Sequence, residues 1–175
     1  MKGLRMCAAA YRFKAFMPAD CSAQGLEQFA TLVASGGEVA QGLQNRLKRA
    51  LSLATLMYGE SIVGTAAMKR PFATYRNKVF QSARSPLAAT DFGHELGWIF
   101  IDPAHRGKGH TFPLIEAVLV ALEGGPLYAT TRLDNEPMHH VLQNLHFERS
   151  GVPYASAQHA GQDIVLYVRL PRAAP

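Results

Sequence analysis

Between Ser22 and Ser35 the apolar residues Leu26, Phe29, Ala30 and Val33 recur at three- and four-residue spacing, the mark of a helix with one buried face. Asp20 or Ser22 can cap its start, and Gly36-Gly37 ends it. A second helix is predicted from about Glu38 to Ala50, with Val39, Leu43, Leu47 and Ala50 on one side. Before both, Met6 to Phe13 reads as a strand. After them, Leu53 to Met57 and Ser61 to Met68 read as a hairpin around Tyr58-Gly59-Glu60. From Lys69 to Gly93 the periodicity dissolves, which predicts a loop with a helical turn near Asn77 to Ala83. Its aromatic residues Phe72, Tyr75, Phe80 and Phe92, with Arg76, Lys78 and Arg84, mark it as a segment lying over a site.

His94 to Ile101 is a strand stopped by Asp102-Pro103. Pro113 to Glu123 is predicted to be a helix, apolar on nearly every side and so buried over most of its surface. Gly124-Gly125 stops it. Leu127 to Arg132 follows as a strand, then a helix opened by Asp134-Asn135-Glu136-Pro137 and reaching about Leu145, then strands at Phe147 to Ser150 and Ile164 to Leu170. The order β-αα-ββ-β-α-β-α-ββ has no repeat and no linker. It predicts one α/β domain over residues 1–175 with a mixed sheet.

Composition narrows the class. Of 175 residues, 48% are hydrophobic and 18% charged, and Gly and Pro are scattered, so collagen-like, disordered and coiled-coil readings fail. Cys7 and Cys21 make no disulfide scaffold and have no Cys/His metal spacing, so no metal is expected. Arg12 and Lys14 interrupt the apolar run after Lys2 and Arg5 before it can serve as a signal-peptide core. The apolar stretch Leu114 to Leu122 is far shorter than the ~20 residues that cross a bilayer. A cytoplasmic protein without a membrane partner is the expectation. The net charge of +5 is unevenly placed: residues 1–90 hold 12 Lys and Arg against 4 Asp and Glu, residues 91–175 hold 6 against 9. The basic half suggests a nucleic acid, a phosphate or an acidic metabolite, with a solvated basic face as the plainer reading.

The most informative stretch is the turn Arg106-Gly107-Lys108-Gly109-His110 between strand and helix. Glycines let backbone approach a ligand closely, and the unpaired N–H groups of a helix start favour an anion. Pro113, lacking an N–H, falls in the first turn where no intrahelical bond is needed. Read alone, this is either a phosphate or pyrophosphate cradle or a tight connection. Neither G-x-x-x-x-G-K-[ST] nor G-x-G-x-x-G is completed.

Arg106-Gly107-Lys108-Gly109-His110-Thr111 resembles the pyrophosphate motif [Q/R]-x-x-G-x-[G/A] of the GNAT superfamily of acyl-CoA-dependent N-acyltransferases. The preceding strand Glu95-Leu96-Gly97-Trp98-Ile99-Phe100-Ile101 and the later blocks Arg132 to Met138 and Leu142 to Phe147 are similar to that family as well. The element order is also that of the superfamily. The resemblance implies a GNAT-like mixed, mostly antiparallel sheet flanked by helices. It implies acetyl-CoA, or another acyl-CoA, along Ile99-Phe100-Ile101, with backbone groups of Ile99 and Ile101 on the pantetheine arm. Arg106, Gly107, Lys108, Gly109, His110 and Thr111 would hold the pyrophosphate. Thr111 stands where the family has Gly or Ala, which bears on cofactor affinity. Asn135 matches a family Asn that contacts the pantetheine region, and it equally fits an ordinary helix cap.

A protonated amine cannot attack a thioester, so a base is required, and Glu95 matches the strand glutamate that serves as base in some members. If the strand is regular, Glu95 shares a side with Gly97 and Ile99, and His94 points the other way. The alternative for Glu95 is an exposed salt bridge. The family's frequent acid, a Tyr, is Leu142 here, and His146 replaces a glycine of the second block. His139, His140 and Tyr154 are the substitutes to weigh. The implied activity is acetyl transfer from acetyl-CoA to a primary amine of a small-molecule or peptide acceptor, by direct attack in a ternary complex. The alternatives are a non-catalytic acyl-CoA-binding module and transfer to an RNA-borne amine such as aminoacyl-tRNA. A homodimer fits each of these.

Overall fold

The computed structural model describes residues 10–38 and 41–171. Its elements are β1 (Tyr11–Phe16), α1 (Ala23–Ser35), α2 (Leu43–Lys48), β2 (Ser52–Tyr58), β3 (Ser61–Lys69), α3 (Ala73–Ser82), β4 (His94–Ile101), α4 (Thr111–Leu119), β5 (Leu127–Arg132), α5 (Glu136–Asn144), β6 (Glu148–Arg149), β7 (Tyr154–Ala155) and β8 (Asp163–Arg169). One sheet runs in the order β1-β2-β3-β4-β5-β8-β6, with β7 also on β8. All its pairings are antiparallel except β4 with β5. The architecture is the mixed, mostly antiparallel sheet flanked by helices that the element order implies.

Helix α1 follows its pattern: Leu26, Phe29, Ala30 and Val33 are buried, and the Ser22 hydroxyl accepts from the Gly25 N–H. The second helix is shorter than predicted, because Gly42 sits in the left-handed region at φ 70° and the helix begins only after it. The first strand begins at Tyr11, not Met6, and extends to Phe16; the predicted Met6 to Ala9 portion lies outside the described residues. The closing strands are β6, shorter than Phe147 to Ser150, and β8, with the two-residue β7 between them.

Two expectations are corrected. The supposed loop Lys69 to Gly93 contains the helix α3, which buries only Val79 and Phe80 and leaves Phe72 and Tyr75 exposed. So narrow a buried face gives little periodic signal. The segment is tied down from outside: Val152 N–H donates to Ala83 O, and the Ser85 and Ser150 hydroxyls bond at 2.7 Å. Helix α4 is not buried all round. Leu114, Ile115 and Val118 form its one fully buried stripe, and Val120 just beyond it is 80% exposed.

The sheet separates three apolar clusters. On one face α4 and α5 pack Leu114, Val118 and Leu142 against Leu56, Met68, Leu96 and Tyr167. On the other, α1 and α2 cover Leu53, Ala67 and Trp98, while α3 covers Tyr128, Leu166 and Val168. Phe80 stacks on Phe92 and Tyr128 at 5.0 and 5.3 Å between ring centroids and anchors the α3 cap. We expect Phe80→Ala to lower unfolding free energy by about 3–5 kcal/mol, the cost of deleting a buried aromatic, read by chemical denaturation. A change under about 1 kcal/mol would mean α3 is not docked.

Candidate active site

The site is made by a strand that changes its pairing. Trp98 has φ 49°, in the left-handed region that non-glycine residues rarely adopt. Across from it the β3–β4 register skips: Thr65 pairs with Phe100 and Ala67 with Gly97, so Trp98 and Ile99 both oppose Ala66. This is a β-bulge, and it is held by Thr65 Oγ1 donating to Trp98 O at 2.9 Å and by Trp98 Nε1 donating to Glu38 Oε2 at 3.0 Å. Past the bulge β4 stays with β3, its end held by Asp102 N–H on Val63 O. The parallel pairing with β5 spans only His94↔Leu127 to Leu96↔Ala129. The two strands therefore splay apart.

The bulge also corrects the expected facing. Leu96 and Trp98 lie in different clusters on opposite faces of the sheet, and Ile99 packs against the α4 and α5 side. Glu95 faces the other side, with its ladder neighbours Lys69 and Tyr128, so Glu95 and Ile99 do not share a face. One inserted residue inverts every side chain after it.

The splay opens into a cleft of about 810 Å³. It is lined by Leu96 to Ile101 of β4, by Arg106 to Thr111, by Ala129 to Arg132 of β5, and by Asn135 and Met138 at the start of α5. The expected cofactor residues Ile99, Phe100, Ile101, Arg106, Gly107, Lys108, Gly109, His110, Thr111 and Asn135 all line this cleft. Because Asp102 N–H binds Val63 O, alternation of the ladder turns the backbone of Ile101 toward the opening. The Ile101 carbonyl there accepts from Arg106 Nε at 2.7 Å.

The turn before α4 has the form of an anion cradle. Gly107 and Gly109 both have φ 75°, and a Cβ at either would meet nothing within 4 Å, so each faces open space. The first intrahelical bond there is Leu114 N–H to His110 O, which leaves the amides of Thr111 and Phe112 ahead of it in the unpaired first turn. Lys108 Nζ donates to Tyr11 Oη at 2.7 Å, and Tyr11 Oη also bonds His105 Nδ1 at 2.9 Å, fixing the turn to β1. Open backbone, unpaired amides and two cations fit the diphosphate of coenzyme A.

Asn135 caps α5, its Oδ1 accepting from Met138 N–H at 3.3 Å, while lining the cleft. Asn135→Ala is expected to cost about 1 kcal/mol through loss of the cap, measured as a lower unfolding midpoint. A larger effect on acetyl-CoA affinity than on stability would add a ligand contact to that role.

Glu95 is 2% exposed. Its Oε1 takes Lys69 Nζ at 2.9 Å and, more weakly, Thr130 Oγ1 at 3.4 Å and Tyr75 Oη at 3.5 Å. Its Oε2 is buried without a partner among the described residues. The expected exposed salt bridge is therefore a buried one. Glu95 lies behind Gly97 and Thr130, which line the cleft. Its charge, first, and burial, second, push the Tyr75 phenol well above the ordinary tyrosine range. Burial, then Glu95, does the same to Tyr154 and Tyr128. These phenols stay protonated. Of the substitute acids, Tyr154 reaches this neighbourhood and the histidines do not. His139 is buried, bonded to Tyr167 Oη and Leu133 O at 2.9 Å each, and joins α5 to β8; His140 is exposed. Leu142 is core, and His146 holds φ 62°, a glycine-like conformation at the family's glycine position. Sequence reasoning placed Lys69 and Tyr75 in a segment lying over a site but gave neither a contact with Glu95, since neither lies in a motif. Among the described residues, no three His, Cys, Asp or Glu gather as a metal site, and no helix is long and apolar enough to cross a membrane.

The splayed parallel pair and the anion cradle belong to a fold that this chain shares with known acyltransferases. Residues 29–147 match the model of the acetyltransferase (GNAT) family. An acyl-CoA N-acyltransferase from Pseudomonas aeruginosa superposes with TM-score 0.63 at 14% identity, over 91% of this chain and 99% of its own. The ribosomal-protein-S18-alanine N-acetyltransferase of Escherichia coli gives 0.65 at 14%, over 95% and 96%. The yncA protein of Salmonella typhimurium, solved with its cofactor acetyl-CoA, gives 0.61 at 18%, over 95% and 98%. No curated protein sequence matches significantly. The chain belongs to the acetyltransferase (GNAT) family.

Proposed function

We propose that this protein transfers the acetyl group of acetyl-CoA to a primary amine of a small-molecule or peptide acceptor, attacked directly while both substrates are bound. The observation that carries this reading is the buried Glu95 carboxylate behind the Gly97 and Thr130 wall of the cleft, with one oxygen held by three donors and the other unpartnered among the described residues. Acetyl-CoA supplies an activated acetyl thioester. The amides from Gly107 to Thr111, with Arg106 and Lys108, hold its diphosphate; Ile99, Phe100 and Ile101, with Asn135, line the pantetheine arm. Glu95 takes the proton that the acceptor ammonium must lose before it can attack. Tyr75 and Tyr154, kept protonated beside it, replace the acid that Leu142 cannot be. The neighbour named for the alanine of ribosomal protein S18 supports a peptide amine as one acceptor class.

The test is release of free coenzyme A across a panel of amines, with calorimetric acetyl-CoA binding as control. Binding without release on any amine favours a non-catalytic acyl-CoA-binding module, a reading that Leu142 and Thr111 support. The excess of 12 basic over 4 acidic residues in the first 90 supports an RNA-borne amine instead. That reading requires RNA affinity falling steeply with salt.

A further inference from the structure

The acceptor end of the site already holds a primary amine, and it belongs to the chain itself. Lys69, the last residue of β3, pairs directly with Glu95 across the ladder. Its Nζ is 2.9 Å from Glu95 Oε1 and 5.3 Å from the centroid of the Trp98 ring. Its stem lies in a trough that exists because residue 97 is glycine: a Cβ there would come within 2.8 Å of Lys69 Cε and 3.0 Å of Nζ. Gly97 and Trp98 also line the cleft, and the Lys69 side chain keeps 16% exposure. An alkylammonium bonded to the base, laid against an aromatic ring at the point where β4 and β5 part, is the arrangement from which an acceptor can give up its proton and attack. The other ion pairs among the described residues use Arg12, Arg46 and Arg132, whose guanidinium groups are poor acyl acceptors.

We propose that Lys69 Nζ is itself an acetyl acceptor, so that the protein acetylates itself at Lys69 within the site that receives its external substrate. The inference rests on the transferase reading above. The co-reactant is an acyl-CoA thioester. Glu95 takes one proton from the Lys69 ammonium along their existing hydrogen bond, and the neutral amine attacks the thioester carbonyl carbon. The C–N bond forms, the C–S bond breaks, and coenzyme A leaves as thiolate. The second proton lost by nitrogen goes to that thiolate, and the first passes from Glu95 to solvent. The products are N-acetyl-Lys69, free coenzyme A and one proton. Transfer removes the cation from Glu95 and from the face of Trp98, leaving Tyr75 and Thr130 as the donors on the carboxylate. Self-acetylation therefore changes the charge of the acceptor site.

The test uses the full chain, incubated with acetyl-CoA carrying an isotopically labelled acetyl group, then digested and mapped by mass spectrometry. The expected result is label on Lys69, acquired at a rate independent of protein concentration, absent in Lys69→Arg and slowed at least about tenfold in Glu95→Gln. Unlabelled N-acetyl-Lys69 already present after expression, and missing from Glu95→Gln, supports it equally. Emission of Trp98, the single tryptophan, changes as the cation leaves its ring. Calorimetric acetyl-CoA binding with no label on Lys69 overturns this inference alone. So does label spread over exposed Lys48 and Lys78, a rate that scales with protein concentration, or unaltered emission at full labelling. Absence of acetyl-CoA binding removes both this inference and the transferase reading.

Discussion

Glu95→Gln is expected to lower turnover at least about tenfold, and by up to ~10⁴, with the acetyl-CoA dissociation constant unchanged. The substitution keeps the shape of the side chain and an oxygen able to accept from Lys69, Tyr75 and Thr130, and it removes the capacity to take a proton. The anion cradle between Arg106 and Thr111 lines the cleft, whereas residue 95 does not. Lys69 loses its counter-ion, so stability must be followed by circular dichroism and turnover expressed per folded molecule. A second readout separates chemistry from architecture. The Glu95 charge is the first cause holding the Tyr75 phenol above its ordinary range, so removing it moves Tyr75 ionisation to lower pH, visible by ultraviolet titration. Unchanged turnover across pH in a folded variant would take Glu95 out of the mechanism.

Gly109→Val is expected to weaken acetyl-CoA binding at least about tenfold, equivalent to ~1.4 kcal/mol. Two effects act together. At φ 75° a β-branched residue adopts a backbone that costs about 1–2 kcal/mol, so the turn will relax toward a different conformation. The side chain also fills the open space now in front of the amides, since nothing lies within 4 Å of a Cβ at this position. Gly109 has no packing neighbours to lose, so thermal stability without ligand falls little beyond the backbone strain. Calorimetry of the variant decides the matter: retained affinity would mean that the diphosphate binds elsewhere than on this turn.

Much of the fold was legible in the chain. Helix α1, the β2–β3 hairpin, β4, β5 and the Asn135-led start of α5 all carry period, cap or breaker signals within a few residues. The failures share a cause. Helix α3 buries only Val79 and Phe80, and what fastens it is a set of bonds from Ala83 and Ser85 to residues 150–152. The Pro113 helix reads as buried all round because its composition is apolar, yet the sheet has room to cover only the Leu114, Ile115 and Val118 stripe. Glu95 could be singled out by its match to a strand glutamate of the family, but its buried surroundings could not be read from the chain.

The amino-acid order carried most of the sequence of elements, a glycine turn with the form of an anion cradle, and one carboxylate ahead of it. These are matters of neighbours along the chain: side-chain periodicity, missing Cβ atoms and unpaired amides at a helix start. Folding in three dimensions settled the rest. The bulge at Trp98 depends on Thr65 and Glu38, residues 33 and 60 positions away, and it turns Ile99 to the face opposite Glu95 while parting β4 from β5. Lys69, Tyr75, Thr130 and Tyr154 meet around Glu95 because sheet register and the α3 cap bring distant segments together. No local pattern encodes such a meeting, since it costs and gains free energy only once the sheet has formed.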